Sequence, residues 1–142
     1  FKEYLTNVAI ENNVADRFHF YGPVGSHEVT SFIQSADLGI APIENVCLSY
    51  YFCAPNKVFE YIQGGIPVVS SNFPDMESVV LVNEIGEVFD PESFENIAET
   101  INELLNDAPK LKTCSENVKK LSDIYKWENE EKKLLALYSK LN

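Results

Sequence analysis

The apolar positions of this chain switch repeatedly between helix and strand spacing. Tyr4, Leu5, Val8 and Ala9 recur at helix spacing and predict a helix over 2–13, ended by Asn12-Asn13. Phe18-His19-Phe20-Tyr21 reads as a short aromatic strand closed by Gly22-Pro23, with His19 turned away from the face of Phe18 and Phe20 and structural in role. Ser26 opens a helix to about Gln34, with Glu28 early in it and Val29, Phe32 and Ile33 apolar. The run from Asp37 to Pro42 is a continuous apolar strand. Residues 43–55 have no period and predict a loop, whose Tyr50, Tyr51 and Phe52 suit either packing on a ligand or capping the core. Asn56 to about Gln63 is a helix, Gly64-Gly65 its stop, and Pro67 to Ser70 the next strand.

Further on, residues 72–80 read as a turn and a short helix with Pro74 in its first turn. Ile85 to Phe89 is a strand, and Asp90-Pro91 turns into a helix over 92–106 with Phe94, Ile97, Ala98, Ile101, Leu104 and Leu105 on one face. A helix from Pro109 to about Ile124 follows. The last helix runs from Trp127, its expected anchor, to Leu141, with Leu134, Leu135, Leu137 and Tyr138 apolar. Four strand–helix alternations with short, apolar strands predict an α/β fold, a Rossmann-like parallel sheet with helices on both faces. Ligands of such sheets bind beyond the carboxyl ends of the strands. The loops 22–26, 43–55 and 71–74 are therefore the candidate site. The helix that starts at Asn56-Lys57 and carries Glu60 offers free N–H groups to a phosphate.

Composition narrows the function. A length of 142 residues suits one domain with a real core. The net charge of −11, with no basic stripe, excludes nucleic acid as a partner and repels anionic membranes. An anionic ligand must then be held by local donors. No apolar run approaches the ~20 residues that span a bilayer. Cys47, Cys53 and Cys114 have no metal-ligand spacing and read as the reduced thiols of a cytoplasmic protein. Spacing gives no Ser-His-Asp or Cys-His set; His27 lies at the start of a helix. The chain opens Phe-Lys-Glu-Tyr-Leu without an initiator Met, and the expectation is a piece cut from a longer protein.

Five pieces in order resemble the C-terminal domain of the group 1 (GT4-like) glycosyltransferases, retaining enzymes of the two-domain GT-B architecture. They are residues 14–24, Val-Ala-Asp-Arg-Phe-His-Phe-Tyr-Gly-Pro-Val; residues 35–42, Ser-Ala-Asp-Leu-Gly-Ile-Ala-Pro; residues 55–70, from Pro-Asn-Lys-Val-Phe-Glu to Pro-Val-Val-Ser; residues 86–91, Gly-Glu-Val-Phe-Asp-Pro; and the closing helix with Trp127, Leu134 and Tyr138. The resemblance implies roles. Glu60 matches the carboxylate that accepts from the ribose hydroxyls of a nucleotide-sugar donor. Ala54, Pro55, Asn56 and Lys57 match the segment that holds the diphosphate and donor sugar, although Pro55 brings no N–H. Gly22, Pro23 and Val24 match the loop against the nucleobase. The donor is a nucleoside-diphosphate sugar and the acceptor a glycan or lipid-linked glycan, held by an N-terminal domain that is missing here. No metal or other cofactor is expected, in keeping with the lack of an Asp-x-Asp pair. The implied location is the cytoplasm, peripheral at the inner membrane face through that missing domain. The catalytic residues are not named by the resemblance.

Two departures qualify it. The earlier carboxylate of the family falls at Phe52, eight positions before Glu60, and Glu44 on the same loop is its candidate replacement. The family also has two further strands before the position of residue 1, one leading to a basic pair on the diphosphate. A domain without them is incomplete. It should expose strand edges, which predicts self-association or completion by the rest of a longer protein, and alone it should be inactive. Two rival readings stay open. One is a nucleotide-sugar epimerase of the same architecture, which needs carboxylates and His in the donor cleft. The other is a non-catalytic flavodoxin-like binding or signalling module, which needs an acidic pair after the first strand and a phosphorylatable Asp after the third; no such pair is found there, and Asp37 precedes its strand.

Overall fold

A computed structural model of the chain describes residues 1–140. Its elements run in the order α1 (Lys2–Glu11), α2 (Val29–Ile33), β1 (Gly39–Ala41), α3 (Leu48–Tyr51), α4 (Asn56–Gly64), β2 (Val68–Ser71), α5 (Pro74–Val80), β3 (Gly86–Phe89), α6 (Phe94–Asn106), α7 (Ala108–Ser122) and α8 (Trp127–Tyr138). The three strands form one parallel sheet in the order β1-β2-β3. The α/β, Rossmann-like expectation holds.

The sheet is covered on both faces because neighbouring residues of β2 point opposite ways. Val68 belongs to a core with Ala41, Val58, Ile62, Val80, Ile85, Val118 and Leu121, drawn from α4, α5 and α7. Val69 belongs to a second core with Phe89, Leu104 and Cys114, flanked by Ile97 and Ile101 of α6. All four residues of β2 are buried, so it is the central strand. Gly86 lets β3 lie close to β2: a Cβ there would fall 1.7 Å from the Val68 carbonyl oxygen. Helix α6 starts at a Ser93 cap that accepts from the Asn96 N–H at 3.1 Å. Asp107 caps α7 in the same way through the Lys110 N–H at 2.9 Å.

Four expectations are corrected. Residues 18–21 form no strand, because a strand exists only in a ladder and these residues make no backbone hydrogen bond among the described residues. Their alternation survives: Phe18 and Phe20 meet edge to face at 5.0 Å, while His19 and Tyr21 share the other side. The segment is held by side chains, with Lys2 Nζ 5.1 Å from the Phe20 ring and Tyr21 5.3 Å from Phe32. Within the expected loop 43–55, residues 48–51 wind into the single turn α3, which buries nothing and so left no period to read. Phe94 stands at the first position of α6, beyond the buried face, and is 83% exposed. Trp127 anchors nothing: it is 67% exposed, on a helix with no buried residue. Leu141 lies outside the described residues.

β1 pairs only with β2, so its outer edge is open, as the resemblance implied. Gly39 donates to Pro67 on the paired side. Ile40 therefore turns its peptide groups outward, and its carbonyl accepts from the Tyr61 hydroxyl at 3.0 Å.

Candidate functional site

Helix α4 leads into β2, so it begins at the end of the sheet where β1 finishes. Its cap is Pro55, in extended backbone, and Asn56 is the first helical residue. The sequence places Asn56 at the helix start, and the structure moves the cap one residue earlier. No side chain caps α4; the Val58 N–H turns back to the Pro55 carbonyl at 3.0 Å, and the Asn56 and Lys57 N–H groups are left for an anion. At the far end Gly65 adopts φ 74°, a left-handed cap that fits Gly64-Gly65 as a stop rather than a ligand contact.

The helix period sorts its side chains. Val58 and Ile62 are buried. Asn56 and Glu60 are both exposed and lie four apart, on one side of the helix. Lys57, three residues before Glu60, is half-buried. Neither Lys57 nor Glu60 makes an ion pair among the described residues. A free ammonium and free N–H groups at the start, with a free carboxylate one turn on, can engage a phosphate and a diol together. Glu60 has one electrostatic neighbour in Tyr61, whose phenol is held above its ordinary range by burial first and by the Glu60 charge second. It stays neutral at physiological pH.

Ala54 is exposed and Pro55 half-buried, directly before the helix. Phe52 is exposed, packed edge to face on Tyr51 at 4.9 Å. Glu44 is exposed and unpaired among the described residues, three residues beyond the end of β1 and separated from it by Pro42-Ile43. Gly22, with φ 78°, and Pro23 and Val24 form an irregular turn between residues 18–21 and α2. Helix α2 also leads into a strand, β1, and its Ile33 covers Gly64 at the far end of α4. The chain thus enters both α2 and α4 from the same end of the sheet. Residues 22–24 precede α2 and residues 54–57 precede α4.

A cavity of about 720 Å³ lies elsewhere, between β3, α6 and α7, with Glu87, Glu103, Asp107 and Lys110 on its walls. Among the described residues no group of three or more His, Cys, Asp or Glu could hold a metal. No described helix is long and apolar enough to cross a membrane.

One participant was not singled out in the sequence. Ser71, fully buried at the end of β2, donates its hydroxyl to the Ile43 carbonyl and accepts from the Ile43 N–H, both at 2.8 Å. The only signal was its position in the 71–74 loop.

Comparison with known proteins bears on family and fold. The profile of the family described as glycosyl transferases group 1 matches residues 1–121. A D-inositol 3-phosphate glycosyltransferase of Corynebacterium urealyticum is 25% identical over 137 residues, 96% of this chain and 31% of that protein. A sucrose-phosphate synthase from Thermosynechococcus elongatus superposes with a TM-score of 0.82 at 22% identity, over 98% of this chain and 34% of that one, which is a likeness of fold. The chain spans about a third of the length of either relative. With a profile match over most of its length, the chain belongs to the group 1 glycosyl transferases.

Proposed function

We propose that this chain is the donor-binding half of a retaining glycosyltransferase that moves a sugar from a nucleoside diphosphate to a glycan or lipid-linked acceptor. The observation that carries the reading is the uncapped start of α4, with Lys57 and Glu60 both unpaired one turn apart, in a chain of this family. In this reading the first N–H groups of α4 and the Lys57 ammonium meet the charge that grows on the leaving diphosphate. Ala54 and the Pro55-Asn56 backbone line the diphosphate and sugar. Glu60 accepts from the ribose hydroxyls, and residues 22–24 border the base. Glu44 is the carboxylate available to the donor sugar where Phe52 cannot accept. The acceptor is held by a further domain of the full-length protein, which works in the cytoplasm at the inner face of the membrane. The reaction uses no metal.

The test is donor binding by the full-length protein. Thermal shift and calorimetry against UDP, GDP, ADP and CMP should give selective stabilisation by one nucleoside diphosphate. Glu60→Ala should then lower kcat/KM for the donor at least ~10-fold, about 1.4 kcal/mol. A folded variant with unchanged donor kinetics would remove Glu60 from the site.

A further inference from the structure

We infer that Ser71, seconded by Phe73, is a positioning residue for donor binding: together they clamp both ends of the exposed loop that delivers residues 54–57 to the site.

The loop that joins β1 to α4 has little to stand on. Residues 44–50 are all exposed, and α3 within them buries nothing. Ile43 and Tyr51, which bracket those residues, are both half-buried. Both rest on the turn that follows β2. Ile43 is bound through its N–H and its carbonyl to the Ser71 hydroxyl, each at 2.8 Å. Tyr51 packs on Phe73 with ring centroids 5.2 Å apart, and Phe73 is itself buried.

The Ser71 contact is not a continuation of the strand ladder. β1 ends at Ala41, opposite Ser70. A ladder carried further would bring the Ile43 N–H to the Ser71 carbonyl. That carbonyl already accepts from the Phe73 N–H at 2.9 Å, which closes the turn, and from the Ser70 hydroxyl at 3.4 Å. The hydroxyl substitutes for it, and it alone serves both backbone groups of Ile43. Only a hydroxyl side chain can donate and accept at one atom in this way. The same short turn therefore fixes where the loop leaves the sheet and, through Tyr51, where it returns toward Cys53 and the start of α4.

A loop released at either anchor samples more conformations, and apparent donor affinity falls by the fraction that remains competent. This inference rests on the donor-site reading above, and the experiment separates the two. In the full-length protein, donor KM and kcat are measured for Ser71→Ala, Ser71→Thr and Tyr51→Ala, with Glu60→Ala beside them. The probe is whichever of UDP, GDP or ADP stabilises the wild type, and its sugar derivative for kinetics. Ser71→Ala and Tyr51→Ala should each raise donor KM at least about fivefold with a smaller change in kcat. Ser71→Thr, which keeps the hydroxyl, should restore it. A purely structural role would lower the melting temperature without this split. If Ser71→Ala does not fold, Tyr51→Ala, on the exposed loop, decides alone. Wild-type donor KM in folded Ser71→Ala and Tyr51→Ala, while Glu60→Ala loses the donor, overturns the clamp and leaves the donor site standing. A wild-type protein that binds none of the nucleotides overturns both.

Discussion

Glu84 sits at φ 50°, in the left-handed region, where the chain leaves α5 for β3. A Cβ is strained there by roughly 1–2 kcal/mol. Its carbonyl accepts from the Asn117 side chain at 3.2 Å, which holds the turn on α7. That bond needs only backbone, so glycine keeps it. Glu84→Gly should stabilise the protein by about 0.5–1 kcal/mol after the added unfolded-state entropy. Urea unfolding with an unchanged slope and a higher midpoint is the check; a lower midpoint would show that the carboxylate matters to the turn. Among single residues, the placement of Asn56, Lys57 and Glu60 on one short helix was legible through helix spacing. Ser71 was not, because its bond joins backbone and side chain across 28 positions and leaves no periodic trace.

At the scale of elements, a period is clearest where an element buries a face, although α8 was read from its spacing and buries nothing. Helix α4 and helices α6 and α7 do so, and their spacing placed them within a few residues of where they lie. α3 buries none and was read as loop, and residues 18–21 kept strand alternation without a partner strand. Elements are also tied by charge. Lys110 of α7 pairs with Glu87 of β3, at 49% and 29% side-chain exposure. The hydrogen bond that the Lys110 ammonium donates to Glu87, offset in part by desolvation, raises the Lys110 pKa above the ordinary lysine value. A raised lysine pKa adds stability at every pH below the unfolded value and loses it as pH rises through the folded one. Lys110→Met should therefore cost under about 1 kcal/mol at pH 7, given the exposure. The difference from wild type should shrink as pH rises through the alkaline lysine range. A gap that stays constant through that range would contradict the assignment.

For the molecule as a whole, the sheet is unfinished at β1. Ile40 is 37% exposed on that edge, and its carbonyl is covered only by Tyr61. Beside it lies an apolar hollow of about 430 Å³ between Tyr21, Phe32, Leu38 and Tyr61. Open apolar edges recruit other chains. Residues 1–142 prepared alone should sediment above the monomer mass at high concentration, and Ile40→Lys should return them to monomer. A monomeric wild-type preparation would show that Tyr61 suffices to blunt the edge. The net charge of −11 opposes association, so raising the salt should favour it.

The placement of the three thiols gives this chain a built-in reporter. Cys47 is exposed and Cys53 half-buried, and they bracket α3. Cys114 is buried in the core, and burial pushes its thiol above the usual range. Thiolate is the reactive form. A mild alkylating dye at neutral pH should thus mark the loop and spare the interior. Without any engineered cysteine, fluorescence from the labelled loop then reports whether an added nucleotide changes the surroundings of residues 47–53.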